Sequence, residues 1–121
     1  MEFNESQAIY LQIADYICEK ILSREWKEEE RVPSVRDLAV EIEVNPNTVM
    51  RTYSFLQEKN IITNQRGVGF FVAGNGYEHT KNYMSEHFIK TDLNYVFKMM
   101  NLLGISFNKL KDYYSKYNEE N

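Results

Sequence analysis

Asn45, Pro46, Asn47, Thr48 and Arg51 crowd into one short stretch, VNPNTVMR, and Arg66–Gly67 follows a little further along the chain. Their chemistry is recognition rather than bond making. Carboxamides, a hydroxyl and a guanidinium offer donors and acceptors in the arrangement that reads base edges in a DNA groove. None of them is a nucleophile with an adjacent base. The chain also lacks G-x-S-x-G, a P-loop, H-E-x-x-H and any paired-carboxylate arrangement, so no catalytic activity is expected. His79 and His87 lie eight residues apart without a cysteine or carboxylate cluster to join them, and no metal or cofactor is expected.

Such residues need rigid carriers. Gln7–Ser23 repeats isoleucine at positions 9, 13, 17 and 21, the spacing of an amphipathic helix, with Ser6 as its N-cap. Cys18 flanks that stripe and reads as a buried thiol. Pro33 ends the acidic connection after Trp26. Ser34 and Asp37 then form a loose capping box for a short second helix that ends near Glu43. Asn45 is a strong N-cap and Pro46 suits the first helical position, so a third helix starts abruptly and runs to about Lys59. Val49, Tyr53 and Leu56 form its apolar stripe, with Met50 alongside. Two short helices about a tight turn make a helix-turn-helix, and its second helix presents Asn47, Thr48 and Arg51 near its start.

The segments IITN and GFFVAG, separated by Gln65 to Val68, predict a hairpin with Arg66 and Gly67 at its tip. A hairpin behind a helix-turn-helix is a wing, and its glycines allow close approach to a phosphate. Trp26 and Phe70 are assigned to the core. Gly74, Asn75 and Gly76 mark a boundary, giving domains 1–76 and 77–121. Beyond it, Met84, Phe88, Leu93, Val96, Met100 and Leu103 predict one long helix, from about Glu78 to Gly104. Ser106 caps a last helix that carries Phe107, Leu110, Tyr114 and Tyr117. The expected fold is mainly α with a small β-hairpin: a winged helix-turn-helix domain plus a two-helix C-terminal dimerisation module.

The totals fit this plan. The 121 residues suit one domain with a small appendage, and 43% hydrophobic content excludes a disordered chain. No run is apolar enough for a membrane span, and a single cysteine points to a cytoplasmic home. The net charge is −4, yet between Asn45 and Val72 Arg51, Lys59 and Arg66 outweigh Glu58. The acids gather instead at Glu25–Glu30 and Asp37–Glu43, which leaves a locally basic face for a polyanion.

Three blocks in register, YLQIADYICEKIL, RVPSVRDLAVEIEVNPNTVMRTYSFLQEKNII and RGVGFFV, resemble the DNA-binding domain of GntR-family bacterial transcription regulators. NPNTV joined to so short a C-terminal part looks like the YtrA subfamily. The resemblance implies double-stranded DNA as partner and contacts from Arg36, Asn45, Asn47, Thr48, Arg51, Arg66 and Gly67. Ser34 would cap its helix and reach a phosphate as well. The resemblance also implies a dimeric repressor, often of genes for ABC-type transporters, and the wide apolar stripe of the C-terminal helices makes them the expected join of a homodimer. Any small-molecule effector would sit between domains or subunits, because the C-terminal part is too short for a roomy pocket of its own. Two features depart from the pattern: Glu29 and Glu30 replace a usual glycine turn, and Met50 stands where other branches carry an arginine. A winged helix that binds protein instead of DNA is the rival reading. It would need an exposed apolar patch on the third helix, where Asn47, Thr48 and Arg51 are polar.

Overall fold

A computed structural model describes the whole chain, Met1–Asn121. Helix α1 spans Ile9–Leu22, α2 spans Val35–Glu41 and α3 spans Pro46–Glu58. Strands β1, Ile62–Gln65, and β2, Gly69–Val72, pair antiparallel with Ile62 opposite Val72 and Gln65 opposite Gly69. Then come α4, Gly76–His87, a π-helical turn at Phe88–Leu93, α5, Asn94–Leu103, and α6, Phe107–Glu120. This is the mainly helical, hairpin-bearing fold that the sequence pattern predicts. Two compact units divide it, Met1–Met84 and Ser85–Asn121.

The first unit owns the core. Ile13, Ile17 and Ile21 of α1 are buried, as the four-residue spacing requires, and Cys18 is buried beside them. Burial pushes the Cys18 thiol up to about 12, with the charges of Asp15 and Glu19 adding to the effect. It is therefore a packing group, not a thiolate. Ile9 departs from the expected stripe and stays 46% exposed. The helix starts later than Ser6 predicts, with Ala8 at its N-cap position and no side-chain cap bond. The Gln12 side chain explains this: its amide donates to the carbonyls of Asn4 (2.8 Å) and Gln7 (2.7 Å), folding the entering segment against the first turn. Ser6 meanwhile donates its hydroxyl to Asn4.

The other caps form as expected. Ser34 Oγ accepts from Asp37 N–H at 3.1 Å, Asn45 Oδ1 from Asn47 N–H at 2.8 Å and Ser106 Oγ from Lys109 N–H at 3.1 Å. Each satisfies an amide that the first turn leaves unpaired. Val49, Tyr53 and Leu56 of α3 are fully buried, and so is Thr52, whose hydroxyl donates to the Tyr10 carbonyl at 2.8 Å. Met50, by contrast, points outward and is 40% exposed. Trp26 and Phe70 are half-buried against the core rather than inside it.

The segment before α2 serves as a third edge for the hairpin. Glu29 N–H donates to the Val72 carbonyl, Val72 N–H to the Glu30 carbonyl and Val32 N–H to the Phe70 carbonyl, each at 2.9 Å. Glu29 takes the left-handed conformation, φ 66°, that a glycine would take without strain. The pairing with β2 and the bond from Lys27 N–H to the Glu30 carboxylate (2.8 Å) hold the turn there.

At the far end of the hairpin, α4 starts against Val72 and Ile61. A Cβ on Gly76 would lie 2.8 Å from Val72 Cγ1 and 2.9 Å from the Ile61 carbonyl oxygen, so only glycine permits this approach. Thr80 is buried, and Tyr83 and Met84 pack on the first core.

The second unit has no such core. The chain stays helical through Leu93, but the expected single helix contains a π turn, and Gly104 (φ 69°) ends α5 as a left-handed cap. A π turn changes the phase of a stripe by less than the three- and four-residue steps that reveal the stripe, which is why spacing alone did not show it. No residue of the π turn, α5 or α6 is buried.

Candidate nucleic-acid interface

Helix α3 has two faces. Val49, Thr52, Tyr53 and Leu56 point into the core, while Asn47, Met50, Arg51 and Ser54 point outward. Asn45 and Pro46 decide where that outer face begins, because the cap and the fixed φ of proline start the helix without a frayed turn. The orphan amides of this N-terminus carry a partial positive charge, suited to an anion. Asn45 spends its side-chain oxygen on the cap, so only its amide N–H groups are free to face outward.

Thr48 is half-buried, whereas Asn47 and Arg51 are exposed. All three line a shallow recess with Ala8, Ile9 and Tyr10 from the start of α1. Arg51 is not loose in solvent. Its guanidinium carbon lies 3.9 Å from the centroid of the Tyr10 ring. No pattern in the sequence paired these two residues, which stand forty-one positions apart.

Arg36 lies in the first turn of α2, exposed, and the ion pairs of the chain are Lys20–Glu25 and Arg24–Glu28. Glu41 therefore does not neutralise it. Ser34 is exposed with its oxygen engaged in the cap. Arg66 and Gly67 form the hairpin tip, closed by Val68 N–H donating to the Gln65 carbonyl at 2.8 Å. Gly67 holds φ 77°, a conformation that strains any side chain.

Arg31 adds a cation that the sequence reading missed. It pairs with Phe71 along the edge of β2, and its guanidinium lies over Gly69, where an added Cβ would come within 2.9 Å of Nε. An arginine preceding the Val-Pro-Ser turn carries no signal of its own. Only the third-edge pairing brings it to the wing.

Helix-turn-helix, wing and an outward polar start to the second helix define the winged helix-turn-helix class of transcription regulators. The pattern described as "Bacterial regulatory proteins, gntR family" matches residues 9–72, and the chain belongs to that family. It is 43% identical over 72 residues to the uncharacterized HTH-type transcriptional regulator YhcF of Bacillus subtilis, covering 60% of each chain. It is 40% identical over 70 residues to the HTH-type transcriptional repressor YtrA of the same organism, covering 58% of this chain and 54% of YtrA. The matches thus span little more than half the length of these relatives. A putative GntR-family regulator from Bacteroides thetaiotaomicron superposes with a TM-score of 0.76 at 43% identity, over 94% of this chain and 100% of that one. The family and these relatives are regulators, not enzymes.

Proposed function

We infer that the chain is a homodimeric repressor that reads a palindromic DNA operator with α3 and grips flanking phosphates with its wing. The observation that carries this reading is the outer face of α3: polar but for Met50, capped at a fixed point and free of ion pairs, on a helix whose other face is locked in the core. Asn47, Thr48 and Arg51 supply base contacts. Ser34, Arg36, Asn45, Arg66 and Gly67 supply phosphate contacts, with affinity that falls as salt rises. Two-fold symmetry would set two such helices about one DNA turn apart.

The second unit supports the dimer. Phe88, Ile89, Leu102, Leu103 and Phe107 are 49 to 74% exposed in one chain, an apolar surface that a second copy would cover. We place the boundary between the DNA-binding and dimerising parts within α4, since Tyr83 and Met84 pack with the first unit. The repressor acts sterically, in the cytoplasm, and the ABC-transporter genes suggested by the subfamily resemblance are its proposed targets.

Arg51→Ala tests the reading. It is expected to cost roughly 1–3 kcal/mol on a duplex selected from a random pool, with much less effect on random DNA. Equal selectivity of variant and parent in competition would remove Arg51 as a reader. Arg66→Ala is expected to behave differently, weakening binding to every duplex and flattening the log–log salt slope by about one unit. A lost preference with an unchanged slope would instead put Arg66 in a groove.

A further inference from the structure

The geometry points to Tyr10 as a positioning residue: its ring holds the Arg51 guanidinium ready at the mouth of the α3 recess. This rests on the reading of Arg51 as a base contact and names the device that prepares it.

Tyr10 is anchored from two sides. Its carbonyl accepts the buried Thr52 hydroxyl at 2.8 Å, which ties the first turn of α1 to the middle of α3. Its ring meets Phe55 edge-on, with centroids 6.0 Å apart and planes at 76°. Phe55 in turn meets Tyr83 edge-on at 5.5 Å and 72°. The Arg51 guanidinium carbon lies over the Tyr10 ring, 3.9 Å from its centroid, within the range of a cation–π contact.

An arginine that docks on a base pair must give up the freedom of a long side chain. A ring that already restricts it removes part of that loss before DNA arrives. The arrangement leaves the guanidinium without an ion pair, so its N–H fork remains available for two acceptors on one base edge. Asn47 and Thr48 line the same recess, which puts the three readers beside one another.

The test uses the full-length chain, one duplex selected from a random pool by the parent protein, and one random-sequence duplex. Tyr10→Leu should lower the preference for the selected duplex roughly three- to tenfold while leaving affinity for random DNA nearly unchanged. Tyr10→Phe and Tyr10→Trp keep a ring face and should retain the preference. Adding Tyr10→Leu to Arg51→Ala should cost nothing further, because the residue being positioned is gone.

Full additivity in the double variant would overturn the proposal, as would undiminished or increased selectivity in Tyr10→Leu. So would a uniform loss in Tyr10→Phe, which would assign the work to the hydroxyl. Loss of both duplexes in Tyr10→Leu through misfolding leaves Tyr10→Phe and Tyr10→Trp to decide, since a fall in preference in both would also sink it. If Arg51→Ala itself keeps the parent's selectivity, the base-reading assignment fails first, and that outcome is distinct from all of these.

Discussion

Removing Ser85–Asn121 is expected to leave a monomer that binds the selected operator on the order of 10²–10⁴ times more weakly than the full chain. The motive is the contrast between the two units. The first buries Ile13, Leu38, Tyr53, Leu56 and Ile61 completely, while the second buries no residue in its π turn, α5 or α6. A few amphipathic helices with so much bare apolar surface make a poor core alone, and twice as many from two chains make a proper one. Losing the link between half-sites removes the gain in effective concentration. The cut falls after Met84 because Thr80, Tyr83 and Met84 belong to the first core, and an earlier cut would strip them from it. Light scattering gives the mass and titration onto one duplex gives the affinity. A fragment that remains dimeric, or binds as tightly as the parent, would show that the C-terminal helices do not join the subunits.

Tyr53→Ala is expected to cost about 3–5 kcal/mol of folding stability, a large share of what a domain this small possesses. Tyr53 is fully buried, and its hydroxyl donates to the Pro33 carbonyl at 2.6 Å. Its ring meets Phe70 of β2 edge-on, with centroids 4.9 Å apart. One side chain therefore fastens α3 to the connection before α2 and to the wing. Burial raises the phenol above its usual range, with Glu41 adding to the effect, so the group stays protonated and able to donate. Tyr53→Phe keeps the ring and loses only that bond, for a smaller cost of about 1–2 kcal/mol. Urea unfolding of both variants decides the matter. A loss below 1 kcal/mol in Tyr53→Ala would mean that the wing and α3 are held by other contacts.

Local chemistry was legible in the residues. A cap joins groups two or three positions apart, so Ser34, Asn45 and Ser106 could be read directly as caps, and the fold gives them the amides of Asp37, Asn47 and Lys109. The buried stripe of α3, Val49, Tyr53 and Leu56, and a hairpin with Arg66 and Gly67 at its tip follow from spacing in the same way, while the register of the strands came only with the fold. The late start of α1 did not, because Gln12 reaches back to Asn4 in a pairing that no capping pattern describes.

What joins distant positions needed the folded chain. The third edge of the wing pairs Glu29–Val32 with Phe70–Val72, and that alone carries Arg31 to Gly69. Thr52 falls on the Val49–Tyr53–Leu56 side of α3 by spacing, but only the folded chain shows that the Tyr10 carbonyl receives its hydroxyl there. Arg51 could be placed on the outer face of α3 by counting, but nothing in the count says that a ring from α1 lies beneath it. Helical periodicity specifies which face a side chain leaves from. What that side chain meets depends on how the helices cross, and the crossing is settled by the packing of the whole core.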